Sequence, residues 1–425
     1  MAAKKKTEDD TTKPAAGSAA ELKARSAKIA GALNSAITTM VKKKYNSNIE
    51  AISLHSSPIP AITTGNINLD NLIGGSLSLD KTGPICAGYP RKKITEIFGP
   101  EGSGKTTLAI AAAVQVIKRG GLVMFLDFEN SLDHKYASSL GIDLNNKDQF
   151  LLYQPPNMEA GMDMITLAIK IGVDLVIVDS VAAMVPAAEL EKSASDAAKV
   201  GVRASKLSEI LPKFVLMMNL EENLKNNPKG TALVFLNQLR AEIKSGPMGG
   251  GGESSAGGKA LKFYASLRIS VVRISSETIE IVDPVTKLRV KRPYGNQTIV
   301  KIVKTKVDSK QGATTKIFIR YGQGVDNILS MIEGSIAHKL MSRAGAVYTF
   351  QGQTFKGKDT FRKFFENNPE IYEAQLKMLN DVLTQSTGIV SDDDSDDGED
   401  ELDAHLRDQV NEVESEVIEE AAYAE

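Results

Sequence analysis

The stretch GPEGSGKT at residues 99–106 constrains the fold of this chain more than any other feature. It follows the apolar run ITEIF and precedes TTLAIAAAVQVIKR, whose apolar residues recur at helical spacing. A G-x-x-x-x-G-K-T loop between a buried strand and a helix directs backbone N–H groups and the positive end of the helix dipole at phosphate oxygens. The sequence therefore predicts a nucleotide site formed by Gly99, Pro100, Glu101, Gly102, Ser103, Gly104, Lys105, Thr106 and Thr107.

The order of apolar runs predicts the fold class. Between about Lys92 and Gly324 the runs ITEIF, LVMFLDF, DLVIVDS and ALVFLNQ alternate with helical stretches. This alternation is typical of an α/β fold, a P-loop ATPase core with a mainly parallel central sheet flanked by helices. The later runs LRISVVRI, TIVKIVKTKV and TKIFIRY follow one another without helices, so we expect the sheet to end in antiparallel strands.

Several side chains near this loop are candidates for phosphate chemistry. Lys105 is expected beside the β- and γ-phosphates and Thr106 on Mg²⁺, with Asp179, at the end of LVIVD, as the second acidic group. Asp127 and Glu129 are two carboxylates on one side of another strand end. They are either solvated turn residues or, for Glu129, the base that activates the attacking water.

The two ends of the chain differ in composition from its body. Residues 1–20 are low-complexity and predicted to be disordered, and residues 21–44 have the spacing of a surface helix. Residues 391–425 contain sixteen Asp and Glu and one Arg, so the other 390 residues carry a net charge of +13. This division indicates an anionic partner with which the acidic tail competes, or a tail that only increases solubility.

Other features limit the class of protein. The single cysteine, Cys86, excludes an intramolecular disulfide, fits a reducing compartment and reads as a small buried residue. No apolar run is long enough to span a membrane, and the N-terminus lacks the pattern of a secretory signal. We therefore expect a cytoplasmic protein without a membrane partner. The four histidines lack zinc-ligand spacing, which argues against a zinc enzyme.

Blocks spread over residues 25–385 resemble the bacterial RecA recombinase family. They are GPEGSGKTT, FLDFENSLD, VIVDSVAAMVPAAELE, FLNQLR and GGKALKFYASLR, followed by IVKIVKTKV, YGQGV, RAGAVYTFQGQ and NNPE. The resemblance implies an ATP-dependent DNA recombinase that polymerises on single-stranded DNA. It further implies homologous pairing and strand exchange in recombinational repair, with ATP and Mg²⁺ as cofactors and a role in the response to DNA damage, including the SOS response.

The resemblance also implies roles for residues around the nucleotide. Asp133 and Tyr136 would contact the adenine, with Tyr321 near the base. Gln238 would sense the γ-phosphate at the start of a DNA-binding loop. Lys304 and Lys306 would reach across a subunit interface to a neighbour's ATP and stabilise charge in the transition state, although an exposed basic strand face would look the same.

Two segments resemble the family's DNA-binding loops, at about 189–206 and 239–258, and the contacts are expected to be largely independent of base sequence. The implied DNA-binding residues are Gly201, Arg203, Lys206, Arg240, Gly257, Gly258 and Lys259, with Arg273 and Lys301 in a second site for duplex DNA. The sequence departs from the family at Ser205 and Ile299, where basic residues are expected, and in the glycine run GGGG at 249–252.

The predicted organisation has five parts. They are a disordered N-terminus (1–20), an oligomerisation helix and strand (21–60), the ATPase core (61–324), a small C-terminal α/β domain (325–388) and an acidic tail (389–425). Expected partners are single-stranded and duplex DNA, further copies of the chain in a helical filament, and repressor and loading proteins. The alternatives are a DNA-translocating helicase with the same core, and an ATP-gated nucleoprotein scaffold or co-protease.

Overall fold

The computed structural model describes residues 19–45, 58–75, 85–190, 201–242, 252–255, 259–282 and 287–385. The chain forms two compact units, Met1–His55 and Ser56–Glu425. The acidic tail at 389–425 lies outside the described residues, as do residues 1–18 and the predicted DNA contacts Gly257 and Gly258.

Eleven helices are described. They are α1 (Ala19–Tyr45), α2 (Ile67–Gly74), α3 (Lys105–Lys118), α4 (His134–Ser139), α5 (Met158–Ile171), α6 (Ala187–Leu190), α7 (Val202–Met217), α8 (Ala260–Tyr264), α9 (Asn327–Ala337), α10 (Lys358–Asn367) and α11 (Pro369–Gln385). Short 3-10 turns occur at Val181–Ala183 and Glu221–Leu224.

Fifteen strands are described. They are β1 (Ala61–Ile62), β2 (Tyr89–Pro90), β3 (Ile94–Gly99), β4 (Val123–Asp127), β5 (Phe150–Tyr153), β6 (Leu175–Asp179), β7 (Ala232–Glu242), β8 (Gly252–Ser255), β9 (Leu267–Val282), β10 (Arg289–Thr305), β11 (Thr314–Arg320), β12 (Gly324–Val325), β13 (Ser342–Ala344), β14 (Val347–Phe350) and β15 (Gln353–Lys356).

One large sheet organises the second unit. Its strand order is β12-β11-β10-β9-β3-β7-β6-β4-β5, with β8 paired to β7. The strands from β9 through β3, β7, β6 and β4 to β5 pair in parallel, and β9 to β12 pair antiparallel. The predicted mainly parallel sheet with an antiparallel end is confirmed.

Both faces of this sheet are covered, as expected for buried parallel strands with few polar residues. Every residue of β3, β4 and β6 is buried. One face packs against α2 and α3 through residues such as Leu108, and the other against α5 and α7 through residues such as Ile165 and Phe214. Cys86 is fully buried in the first of these cores, as the sequence predicts.

The C-terminal part has a core of its own. The antiparallel strands β13, β14 and β15 pack with α9, α10 and α11 around an aromatic group that includes Phe350, Phe361 and Phe365. Phe318 of β11 belongs to the same cluster. The small core is therefore continuous with the edge of the large sheet.

The described part of the first unit is the helix α1, which confirms the helix predicted from the spacing of its apolar residues. Ile29, Leu33, Ile37 and Met40 recur every three or four residues, so they share one face. All four are exposed, three of them by more than half of their surface. None of the described helices is long and apolar enough to cross a membrane.

Candidate active site

The glycine-rich loop lies between β3 and α3, where the sequence places it. A side chain at Gly99 would start 2.0 Å from the carbonyl oxygen of Val271, and one at Gly104 would start 2.3 Å from Ile319 Cδ1. Gly104 also has a φ of +101°, a conformation that suits glycine. The loop is thus held closely against the antiparallel part of the sheet, and it leads directly into α3, whose N-terminus is the positive end of the helix dipole.

Lys105 is buried inside this loop. Its Nζ donates to the carbonyl oxygens of Gly99, at 2.9 Å, and Pro100, at 2.5 Å. Burial lowers the pKa of the Lys105 ammonium, while the carboxylates of Asp179 and Glu129 oppose that change. The side chain of Lys105, the first residue of α3, therefore lies folded back on the loop that precedes the helix.

Thr106 and Asp179 meet where α3 begins and β6 ends. Thr106 Oγ1 donates to Asp179 Oδ2 at 2.8 Å. Burial, with smaller contributions from the carboxylates of Glu129 and Asp127, raises the pKa of Asp179 to about 6, and the Thr106 hydrogen bond opposes this rise. A hydroxyl and a carboxylate are oxygen ligands of the kind that Mg²⁺ prefers, so this pair fits the cation. Among the described residues, this site included, no group of three or more His, Cys, Asp or Glu is arranged to hold a metal ion by itself.

Asp179→Asn is expected to raise the free energy of unfolding at pH 7.5. The pKa of Asp179 is higher in the folded chain than its ordinary 3.8, so its stabilising contribution is present below 3.8 and lost as the pH rises through about 6. Asparagine accepts the Thr106 hydrogen bond without a buried charge, so we expect a gain of about 2 kcal/mol at pH 7.5 and little at pH 4. Urea unfolding at both pH values measures it, with the exposed Asp163→Asn as control. Equal destabilisation at both pH values would contradict this reading.

The two carboxylates after β4 have different surroundings. Asp127 accepts hydrogen bonds from the backbone N–H groups of Ser131, at 3.3 Å, and Leu132, at 3.0 Å, so it closes the turn after the strand. Glu129 is half-buried, and its Oε1 accepts from Ser180 Oγ and from Gln238 Nε2, the latter at 3.0 Å. Of the two, Glu129 is the carboxylate that faces the other candidate residues.

The residues expected near the adenine lie close to the start of α3. The Tyr136 hydroxyl is 2.9 Å from Thr107 Oγ1, and burial raises the pKa of that tyrosine. Asp133 caps α4, since its Oδ1 accepts from the backbone N–H of Lys135 and of Tyr136. Tyr321 is half-exposed and donates to Asn296 Oδ1 at 2.6 Å.

Gln238 lies beside the phosphate loop because of strand register. It is directly opposite Gly99 in the parallel pairing of β3 and β7. The sequence predicts a loop from residue 239, but β7 continues to Glu242 and pairs antiparallel with β8. The reason is that the two segments satisfy each other's backbone hydrogen bonds. The strand that carries Gln238 therefore continues into the predicted DNA-binding segment, of which the backbone at Arg240 is described.

Part of the first predicted DNA loop is helical. Gly201, with a φ of +96°, precedes α7, and Arg203 and Lys206 lie in the first turns of that helix. Arg203 Nη1 donates to the carbonyl of Ala182 at 2.7 Å, and Lys206 forms an ion pair with Glu159 at 2.6 Å. Both cations are engaged within the chain, which the sequence pattern did not indicate.

The other predicted DNA contacts lie on the antiparallel side. Lys259 is exposed just before α8, and Arg273 is exposed on β9. Lys301 lies on β10 and is half-buried. The structure places Arg273 opposite Thr298 and Lys301 opposite Ser270 in one pair of strands.

Lys304 and Lys306 lie at the end of β10 near α8. Lys304 Nζ donates to the carbonyl oxygens of Lys262, at 2.6 Å, and Phe263, at 3.0 Å. Burial lowers the pKa of Lys304, and the neighbouring charges of Lys306 and Arg268 lower it further. Phe263, whose carbonyl oxygen is one of these acceptors, has a side chain that is 67% exposed.

The sequence reasoning missed three polar side chains inside the sheet. Glu96 is fully buried in β3 and bonded to Asn237 of β7 and Arg268 of β9. A signal was available, because a charged residue in the apolar run ITEIF needs a partner when the strand is buried. The serine after Asp179 was also missed, although its hydroxyl contacts Glu129.

Comparison with known proteins gives consistent matches. The pattern of the RecA N-terminal domain family matches residues 32–326. A protein called "Protein RecA" from Kineococcus radiotolerans is 38% identical over 328 residues, which are 77% of this chain and 84% of the relative. Proteins of the same name from Streptomyces venezuelae and Frankia alni are each 37% identical, over 77% and 79% of this chain and 77% and 87% of theirs.

Proposed function

This chain belongs to the RecA family, and we propose that the site described above binds ATP with Mg²⁺ and couples hydrolysis to single-stranded DNA. As a family member it is a DNA-dependent ATPase and a recombinase that binds DNA and forms filaments. We further propose which residues are responsible for these activities.

We assign phosphate binding, Mg²⁺ binding and proton transfer to different residues around the phosphate loop. Lys105 would move from the carbonyls of Gly99 and Pro100 to the β- and γ-phosphates, to which it supplies charge. Thr106 and Asp179 would hold Mg²⁺, which neutralises phosphate charge when it is bound. Glu129 would accept a proton from the attacking water, since its carboxylate lies at the neighbouring strand end.

One hydrogen bond carries the proposal of coupling, that between Gln238 Nε2 and Glu129 Oε1 at 3.0 Å. It joins the strand that continues into the DNA-binding segment to the proposed base. With a γ-phosphate present, the carboxamide would donate to it instead and leave Glu129 Oε1 for the water. DNA that binds beyond Gln238 would favour one of these two arrangements, which is a physical route for mutual coupling.

Two further observations support assembly into a filament with sites shared between subunits. The apolar face of α1 is exposed, and burial against another copy would remove that surface from water. Lys304 lies beside Phe263, whose side chain is exposed, as expected if this edge meets a neighbour's nucleotide. We also propose sequence-independent binding of single-stranded and duplex DNA by the basic body, with repressor and loading proteins as further partners.

Gln238→Ala tests the coupling. We expect stimulation of hydrolysis by single-stranded DNA to fall at least about tenfold, with the rate without DNA changed less than about twofold, because only the coupled arrangement is lost. Steady-state hydrolysis with and without single strands measures this, and the exposed Gln353→Ala serves as control. An equal loss with and without DNA would confine Gln238 to the nucleotide site. Unwinding of forked duplexes by the wild type would favour the helicase alternative.

A further inference from the structure

A buried carboxylate joins three strands at the level of the phosphate loop. Glu96 is fully buried on β3, and its Oε2 accepts from Arg268 Nε at 2.5 Å. Its Oε1 accepts from Asn237 Nδ2 at 2.8 Å. The Arg268 guanidinium also lies 4.5 Å from the ring centroid of Phe98, the residue before the loop. The position of Glu96 therefore influences both β7 and β9.

One partner of Glu96 leads to the nucleotide site of the same chain. Asn237 Oδ1 accepts the backbone N–H of Gln238 at 3.0 Å, and Gln238 in turn donates to Glu129. This branch needs only a hydrogen-bond acceptor at position 96. A glutamine there retains a carbonyl oxygen for Asn237.

The other partner leads to the lysine pair. Arg268 lies directly opposite Glu96 in the pairing of β3 with β9 and directly opposite Lys304 in the pairing of β9 with β10. Arg268 is only 8% exposed, so its charge is poorly screened by water. Lys304 thus faces a guanidinium that is neutralised by Glu96. This branch depends on the negative charge at position 96.

We propose that Glu96 is a positioning residue for the lysines that act on a neighbour's ATP, because it neutralises Arg268 and lets Lys304 remain charged and aligned on β10. The inference rests on the proposed role of Lys304. Glu96 itself does not contact the nucleotide. A buried ion pair generally stabilises a fold little compared with apolar residues, so stability alone is a weak reason for this pair.

The first test compares two carboxylates that each pair with an arginine, Glu96, which is fully buried, and Asp174, which is partly buried. Asp174 accepts from Arg91 at 2.9 Å, away from the nucleotide site, and is the matched control. In Glu96→Gln we expect kcat for single-strand-stimulated hydrolysis to fall about tenfold, with KM for ATP within about twofold, since charge across the interface acts in the transition state. In Asp174→Asn we expect both constants within about twofold of wild type. A similar fall of kcat in both variants would overturn the proposal, because it would indicate that loss of either ion pair lowers activity through reduced stability.

The second test uses mixed filaments, because a defect in the supplied lysine can be complemented by a neighbour. Glu129→Gln chains retain Lys304 but lack the base. In a 1:1 mixture with Glu96→Gln chains, half of the nucleotide sites belong to Glu96→Gln chains, and half of these meet a Glu129→Gln neighbour. We therefore expect about a quarter of the wild-type rate, well above that of either variant alone. Lys304→Ala mixed with Glu129→Gln is the control for the shared site itself.

Each result has a definite meaning. If Lys304→Ala is complemented and Glu96→Gln is not, the positioning role is wrong while the shared lysines stand. If neither variant is complemented, the proposal of a shared site is wrong, and this inference is wrong with it.

The double variant Glu96→Gln/Arg268→Gln removes both charges and controls for misfolding of the single variant. We expect its rate within about threefold of wild type, because no uncompensated cation faces Lys304. A double variant as slow as Glu96→Gln would also overturn the proposal.

Discussion

Replacing Glu129 with glutamine is expected to lower single-strand-stimulated ATP hydrolysis about a thousandfold, the middle of the range for loss of a general base. ATP affinity should change less than about threefold, because glutamine still accepts hydrogen bonds from Ser180 and Gln238. Single-turnover hydrolysis and equilibrium binding of a fluorescent nucleotide measure the two quantities separately.

Asp127→Asn is the matched comparison for Glu129→Gln, since Asp127 is the last residue of β4 and Glu129 lies two positions further along the chain. Asp127 accepts from two backbone N–H groups of the next turn, and asparagine can accept at least one of them. We expect hydrolysis by this variant to fall less than about tenfold. If Asp127→Asn were the slower variant, with Glu129→Gln near wild type, the base would be assigned to the wrong carboxylate.

The second large effect is expected from α1. Changing Leu33 and Ile37 together to aspartate should abolish filament formation and reduce single-strand-stimulated hydrolysis at least about a hundredfold, because each apolar side chain contributes about 1.5–3 kcal/mol on burial. Both residues belong to the exposed apolar face of the helix. Light scattering with single-stranded DNA and ATP reports assembly, and circular dichroism reports whether the helix persists.

The control for α1 carries the same number of new charges outside the apolar face. Asn34→Asp/Ser35→Asp introduces the same two aspartates into the same stretch of α1, but it leaves Ile29, Leu33, Ile37 and Met40 intact. We expect this control to assemble like the wild type. Loss of assembly in both variants would indicate a general charge effect, and normal assembly of the first would show that the apolar face does not contact another copy.

Much of the nucleotide site follows from sequence because its elements are local. The phosphate loop needs only a buried strand, a glycine-rich turn and a helix in succession, and all three are visible in residues 94–118. The position of Asp179 can also be predicted from the local sequence, since it ends an apolar run that becomes β6. Alternation of apolar runs with helices then predicts the parallel sheet, and successive strands without helices predict its antiparallel end.

What the sequence does not predict depends on contacts between distant segments. The bond of Glu96 to Arg268 joins residues 172 positions apart, and no local pattern specifies their register. The ion pair of Lys206 with Glu159 likewise requires α5 and α7 to be adjacent. The extension of β7 into a hairpin with β8 depends on backbone pairing, which the glycines at 249–252 do not suggest.

The bonds from Lys304 to the carbonyls of Lys262 and Phe263 bear on how an assembly would consume ATP. Under the proposed role of Lys304, a chain on its own keeps this lysine on its own backbone, and its nucleotide would receive no lysine from a neighbour. A row of n chains would then contain n − 1 complete sites, with one idle chain at an end. The rate of ATP hydrolysis per chain should therefore increase with the number of chains in the row and then level off. Isolated chains in dilute solution should hydrolyse almost no ATP.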